Sequence, residues 1–141
     1  MAAVGSWPFR GRATAVGELI LFDTSVLIAH LRGDSQATRS LLDTPAAERL
    51  ASVLARIEIE GGMRSGERAA VGALFGVIRL LPVTDEIARR AGEHLRTYGR
   101  SHSGIDLVDY AVAATAELHG AALATLNVKH FPMFPDLTAP W

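Results

Sequence analysis

The sequence contains no cysteine, which excludes a disulfide framework, a thiolate metal site and a cysteine nucleophile. It has no apolar run near the roughly 18 to 20 residues of a membrane span. Its first 18 residues hold no continuous apolar segment of the kind that leads a secretory signal. A cytoplasmic protein without a membrane association is the expectation. Net charge is also scarce, at −1, so no global basic field announces nucleic acid. Lysine is nearly absent: of 14 basic residues only Lys129 is not arginine. Arginine suits bidentate phosphate contacts, but abundant alanine points equally to a coding bias. What is present is ordinary for one globular domain with a real core: 141 residues, 49% hydrophobic and 21% charged.

The chain is organised around Leu19-Ile20-Leu21-Phe22-Asp23-Thr24-Ser25-Val26-Leu27-Ile28. Four apolar residues run into a lone carboxylate and two hydroxyls. So short a run reads as a strand buried on both faces of a parallel sheet. Thr24 or Ser25 is then the cap of a helix beginning near Val26. Asp23 falls at the carboxyl end of a central strand, where open α/β sheets place their ligands.

Residues 1–18 show no periodicity and read as a tail or surface extension, with Trp7 and Phe9 as docking side chains. Residues 19–141 form a single domain in which strands alternate with helices. Short helices are expected over 26–31 and 36–42, and a second strand over 50–54. A polar helix containing Gly61 and Gly62 follows over 56–68, then an apolar helix over 69–78. A third strand is expected over 80–83. Thr84-Asp85-Glu86 has the chemistry of a helix start, and Ile87, Ala91, Leu95 and Tyr98 share one face of that helix. Asp106 caps a helix that ends at Gly120. A fourth strand covers 121–126, and a proline-bearing tail with at most a short edge strand covers 127–141. The alternation implies a parallel sheet covered on both faces.

In right-handed βαβ units, strand carboxyl ends and helix amino ends share one rim. Asp23, Glu58, Asp106, Asp109 and Asn127 all fall there. Asp109 stands in a helix that is apolar nearly all round, so its carboxylate is costly unless paired. Asp106, three residues earlier, is read equally as an N-cap and as a further metal ligand. Several carboxylates in one cleft need a cation to stay ionised. An oxygen-only set without cysteine or a spaced histidine pair suits Mg²⁺ or Mn²⁺ rather than zinc. Such an ion works most simply on a phosphodiester.

These residues resemble the PIN-domain ribonucleases, and within them the VapC toxins of toxin–antitoxin pairs. The matching pieces are residues 21–28, Ser52-Val-Leu-Ala-Arg-Ile-Glu58-Ile-Glu-Gly-Gly62, Asp109-Tyr-Ala-Val-Ala-Ala-Thr-Ala116 and Leu123-Ala-Thr-Leu-Asn127-Val-Lys-His-Phe131. They stand in the family's order. The resemblance implies a three-layer α/β/α fold with a short parallel sheet. It implies metal-binding catalytic roles for Asp23, Glu58 and Asp109, and hydroxyls near the site at Thr24 and Thr125. It selects Glu58 over Glu60. Many members carry a fourth acid where this chain has Asn127, and another acid where it has His130, which puts a second metal in question.

The resemblance further implies a VapB-type antitoxin that covers the acidic cleft with a basic side chain, a homodimer, and structured RNA, commonly tRNA, as substrate. The short helices after the first strand, with Trp7, Phe9 and Trp141, are candidate contact surfaces. Arg96, Arg100 and His102, beside the 99–104 loop, are nominated for RNA phosphate contact. His30, His94 and His119 read as surface or boundary residues. A haloacid-dehalogenase-type phosphatase would need an acid where Ser25 stands, and a receiver domain would need acids before Asp23, where the chain is apolar. The alternative from another class is a PIN-like module that binds RNA or protein without cutting.

Overall fold

The computed structural model describes residues 17–141; Trp7 and Phe9, with most of the expected tail, lie outside the described residues. The elements in order are β1 (Ile20–Phe22), α1 (Thr24–Leu31), α2 (Ser35–Asp43), β2 (Arg49–Ser52), α3 (Val53–Gly62), α4 (Arg68–Gly76), β3 (Arg79–Leu81), α5 (Asp85–Tyr98), α6 (Leu107–His119) and β4 (Ala122–Ala124). The strands form one parallel sheet in the order β3-β2-β1-β4. Among the described residues no helix is long and apolar enough to cross a membrane.

The order explains the layers. From β1 to β2 to β3 the chain steps one way across the sheet, so right-handed crossovers put α1 to α4 on one face. From β3 to β4 it steps back past β1, which puts α5 and α6 on the other. The packing agrees: α1 touches α2 and α3, and α5 packs on α6. The covered parallel sheet expected from the alternation, and the three-layer α/β/α fold implied by the resemblance, are what is found. The core joins Ile20, Leu21 and Leu123 of the strands to Val26, Leu41 and Ile59 on one face and to Val112 and Ala116 on the other. Because the strand order reverses between β1 and β4, a crevice opens beyond their carboxyl ends.

The strands are shorter than their apolar runs. Val53 and Leu54 extend the β2 pattern, but the Ser52 hydroxyl accepts the Leu54 N–H (3.1 Å) and starts α3 there. The polar helix expected over 56–68 accordingly runs from Val53 to Gly62, and a 3₁₀ turn at Ser65–Glu67 separates it from α4. Likewise β3 and β4 end before Pro82 and Thr125. In α5 the predicted face is rotated: Leu95 is 42% exposed, whereas His94 is buried. The reason lies in α6. Glu117 brings its carboxylate into the α5–α6 contact, where His94 Nε2 and Arg90 meet it. A buried acid selected a polar partner over an apolar one.

After β4 no edge strand forms among the described residues. The chain makes a 3₁₀ turn at Val128–His130 and then folds Phe131, Phe134 and Leu137 into the core. Trp141 packs against that core as well and is partly buried.

Candidate active site

Asp23 is the first residue beyond β1, and its N–H still pairs with the Ala124 carbonyl (2.9 Å), one step past the β1–β4 ladder. It occupies the N-cap position of α1 with extended backbone (φ −70°, ψ 155°), yet its side chain caps nothing. This corrects the expectation that Thr24 or Ser25 caps a later helix: the helix begins at Thr24, and the hydroxyls serve the acids. Asp23 Oδ2 accepts both the Ser25 hydroxyl (2.9 Å) and the Thr125 hydroxyl (2.8 Å). Those hydroxyls accept the N–H groups of Leu126 (3.0 Å) and Asn127 (3.0 Å) in turn. The loop after β4 is thus stitched to the loop after β1, and the buried Asp23 carboxylate is the knot.

Thr24 donates its hydroxyl to Glu58 Oε1 (2.7 Å), tying α1 to the second turn of α3. At the start of α6 the two acids cap one another: Asp106 Oδ1 accepts the Asp109 N–H (3.1 Å), and Asp109 Oδ2 accepts the Asp106 N–H (3.2 Å). The capping role weighed for Asp106 is therefore filled, and it does not remove Asp106 from the rim. His130 Nδ1 stands 3.2 Å from Asp109 Oδ2.

An open cleft of about 180 Å³ gathers these groups. Asp23, Thr24, Glu58, Asp106, Asp109 and Asn127 line it, as the sequence led one to expect, and Thr125 holds Asp23 from beneath. Ser25, Ile28 and His130 line it too. Ser25 follows a strand-ending acid by two residues, a spacing that signals a local hydroxyl-to-carboxylate bond. His130 carried no comparable signal. Arg96, Arg100 and His102 are exposed and do not line the cleft. His102 lies in the turn leading toward Asp106, its ring edge-on to Tyr98 (5.6 Å between centroids).

The electrostatics single out Asp109. Burial raises its carboxyl first of all; the Asp106 N–H and His130 pull it down, while the charges of Asp106 and Asp23 push it up. The balance leaves it at about 6 against an ordinary 3.8, the mark first of a carboxylate taken out of water and then of neighbouring acids.

The donor set is one for a hard divalent ion: carboxylates and an amide oxygen, with no sulfur. Among the described residues no three Asp, Glu or His side chains close into a preformed cage. Mg²⁺ does not need one, since it keeps several waters and takes only one or two carboxylates directly. Residues and ion therefore fit.

Comparison with known proteins agrees with this geometry. Residues 20–132 match the PIN domain family. The chain is 49% identical over 124 residues to Ribonuclease VapC10 of Mycobacterium tuberculosis, covering 87% of this chain and 93% of that one. It is 46% identical over 123 residues to Ribonuclease VapC19 of the same organism, covering 86% and 98%. Among solved structures, a toxin–antitoxin complex from Klebsiella pneumoniae superposes with a TM-score of 0.73 at 25% identity, covering 86% of this chain and 98% of that one. The chain belongs to the PIN-domain family and, within it, to the VapC-type ribonuclease toxins.

Proposed function

We propose that the chain is a Mg²⁺- or Mn²⁺-dependent endoribonuclease that cuts tRNA or another structured RNA in the cytoplasm and is neutralised by a VapB-type antitoxin. The observation that carries this reading is the meeting of two buried aspartates, Asp23 and Asp109, with Glu58 and Asp106 in one cleft at the switch point of the sheet.

Asp23, Asp109 and Glu58 would hold the ion, with Asp106 beside them and Asn127 as a source of an uncharged oxygen. A divalent ion bound there lowers the pKa of a water and neutralises the phosphoryl oxygens. The chain's own part is orientation. Ser25 and Thr125 occupy one oxygen of Asp23, which fixes the plane of that carboxylate. Thr24 engages one oxygen of Glu58 with a single hydrogen bond. Glu58, exposed as Asp106 and Asn127 are, would accept the proton of the attacking water. Arg96, Arg100 and His102 contact RNA phosphates farther along the strand and set its register.

The antitoxin has a place to lie. A second groove, lined by Leu31, Ile59, Met63 and Val71, shares Ile28 and Glu58 with the acidic cleft. An apolar segment laid there brings a basic side chain to the acids. A homodimer is the state of the free protein, with exposed side chains such as Leu107, 70% exposed, for a second copy to cover.

The test is incubation of total tRNA with antitoxin-free protein in Mg²⁺, Mn²⁺ or EDTA, beside Asp23→Asn, Glu58→Gln and Asp109→Asn. Discrete fragments that need the metal and vanish in the variants are expected. A folded wild type that binds RNA and never cuts it makes the chain a binding-only PIN module.

A further inference from the structure

Asp23 and Asp109 face the same cleft, and each has one oxygen engaged by the protein. For Asp23 the two Ser25 and Thr125 hydroxyls converge on Oδ2. For Asp109 the Asp106 N–H reaches Oδ2, and His130 Nδ1 stands 3.2 Å from that same atom. We propose that His130 is a positioning residue for Asp109, serving it as Ser25 and Thr125 serve Asp23. This rests on the reading that Asp109 is a metal ligand.

Two observations support the assignment, and the chemistry of the pair agrees. The 3₁₀ turn at Val128–His130 is anchored immediately beyond His130 by Phe131, which is buried in the core, so the imidazole is carried on a fixed base. The His130 side chain is 39% exposed, more than core packing requires, while that of Asp109 is 12% exposed. Facing a carboxylate, Nδ1 is the nitrogen that carries hydrogen, which sets the tautomer. Groups that orient a ligating carboxylate matter nearly as much as the ligand itself. With the Asp106 N–H alone, the Asp109 carboxylate is free to rotate about its last bond, and the cleft-facing oxygen loses its fixed place.

The test is Mn²⁺ titration by calorimetry, at one pH, of wild type, His130→Ala, His130→Asn and His130→Gln, with steady-state cleavage of tRNA alongside. The asparagine amide nitrogen falls where Nδ1 does, whereas that of glutamine falls nearer Nε2. His130→Ala and His130→Gln are expected to bind Mn²⁺ between about 10-fold and 100-fold more weakly. His130→Asn is expected to recover most of that loss, and kcat to follow affinity across the series. Wild-type affinity in His130→Ala overturns the assignment. So does a rise in the KM for RNA with metal affinity intact, which makes His130 a substrate contact. If wild type itself takes up no Mn²⁺, the metal reading fails, and the assignment with it.

Discussion

Replacing Asp109 with asparagine should stabilise the metal-free protein while destroying its activity. The magnitude follows from the site. The Asp109 carboxyl is raised from 3.8 to about 6, about two units, and each unit is worth about 1.4 kcal/mol, so the ionised group costs the folded state on the order of 2 to 3 kcal/mol. The sign follows from linkage. Below about pH 4 the acid is protonated folded and unfolded alike, and nothing separates it from an amide. Between about pH 4 and 6 the unfolded chain releases a proton that the folded one keeps, so the native state falls behind the asparagine variant as pH rises. Above about pH 6 both have released it, and the deficit is constant. Asparagine keeps the carbonyl oxygen that accepts the Asp106 N–H, so the cap survives. Urea unfolding of both proteins in chelator, at steps from pH 4 to pH 8, reads the difference directly. The expected curve is near zero at pH 4, climbs to about pH 6 and is flat beyond, equivalent to roughly 5 to 10 °C in Tm at neutral pH. Adding Mn²⁺ should stabilise wild type alone and narrow the gap. A variant no more stable than wild type at pH 8 refutes the argument, because the raised carboxyl would then impose no cost on the fold.

Four further outcomes follow from the same structure. Thr125→Val removes one of the two hydroxyls on Asp23 Oδ2 and leaves the Asn127 N–H without its acceptor; a loss of about 1 to 3 kcal/mol in urea unfolding is expected, with weakened cleavage. Glu117→Gln breaks the tie between α5 and α6. Burial alone would raise this carboxyl, but hydrogen bonds and charge from His94 and Arg90 hold it below its ordinary value. Wild type should therefore exceed the variant by about 2 to 3 kcal/mol at pH 7, a figure reduced because Arg90 is partly exposed. That advantage should fade as pH falls through the lowered value, which acid-titrated circular dichroism would follow. Gly120→Ala meets open space but must adopt φ of +63°, so a cost of about 1 to 2 kcal/mol is expected from backbone strain alone, read by urea unfolding. Asn127→Asp adds a charge to a cleft already rich in acids; it should lower metal-free stability and tighten Mn²⁺ binding, a pairing that calorimetry and thermal melts check together.

Much of this arrangement is legible in the residue order because it depends on local signals read along a simple topology. The run from Leu19 to Phe22 ends in Asp23, and a strand ends there. Asp106 and Asp109 have the spacing of a mutual cap, and the cap forms. Gly120 stops α6 in the left-handed region, as a helix-ending glycine does. What stayed hidden depends on partners distant in sequence. Leu95 looked like a core residue of α5 because periodicity counts apolar side chains only; Glu117, from another helix, turned the face toward His94. Ser25 and Thr125 are 100 residues apart, yet they meet at 3.4 Å on the same carboxylate. No window of sequence contains both. His130 shared that difficulty, since its place beside Asp109 depends on how the chain turns after β4.

The reversal of strand order between β1 and β4 accounts for both the chemistry and its cost. It opens the sheet where the Asp23 and Thr125 loops meet, and α6 delivers Asp109 to the same rim. An alanine-rich α6, with Ala113, Ala114 and Ala116 wholly buried, lets the helix lie close to the strands. That closeness takes the Asp109 carboxylate out of water. A domain built only for stability would put an amide or an apolar residue at position 109, and the fold would tolerate it. Under the proposed function, an acid there would be matched by positive charge from outside, an ion for catalysis or a basic side chain of an antitoxin for its inhibition. On the proposed function, either occupant would relieve the same electrostatic strain, and the acid that serves the activity would also be the handle for its control.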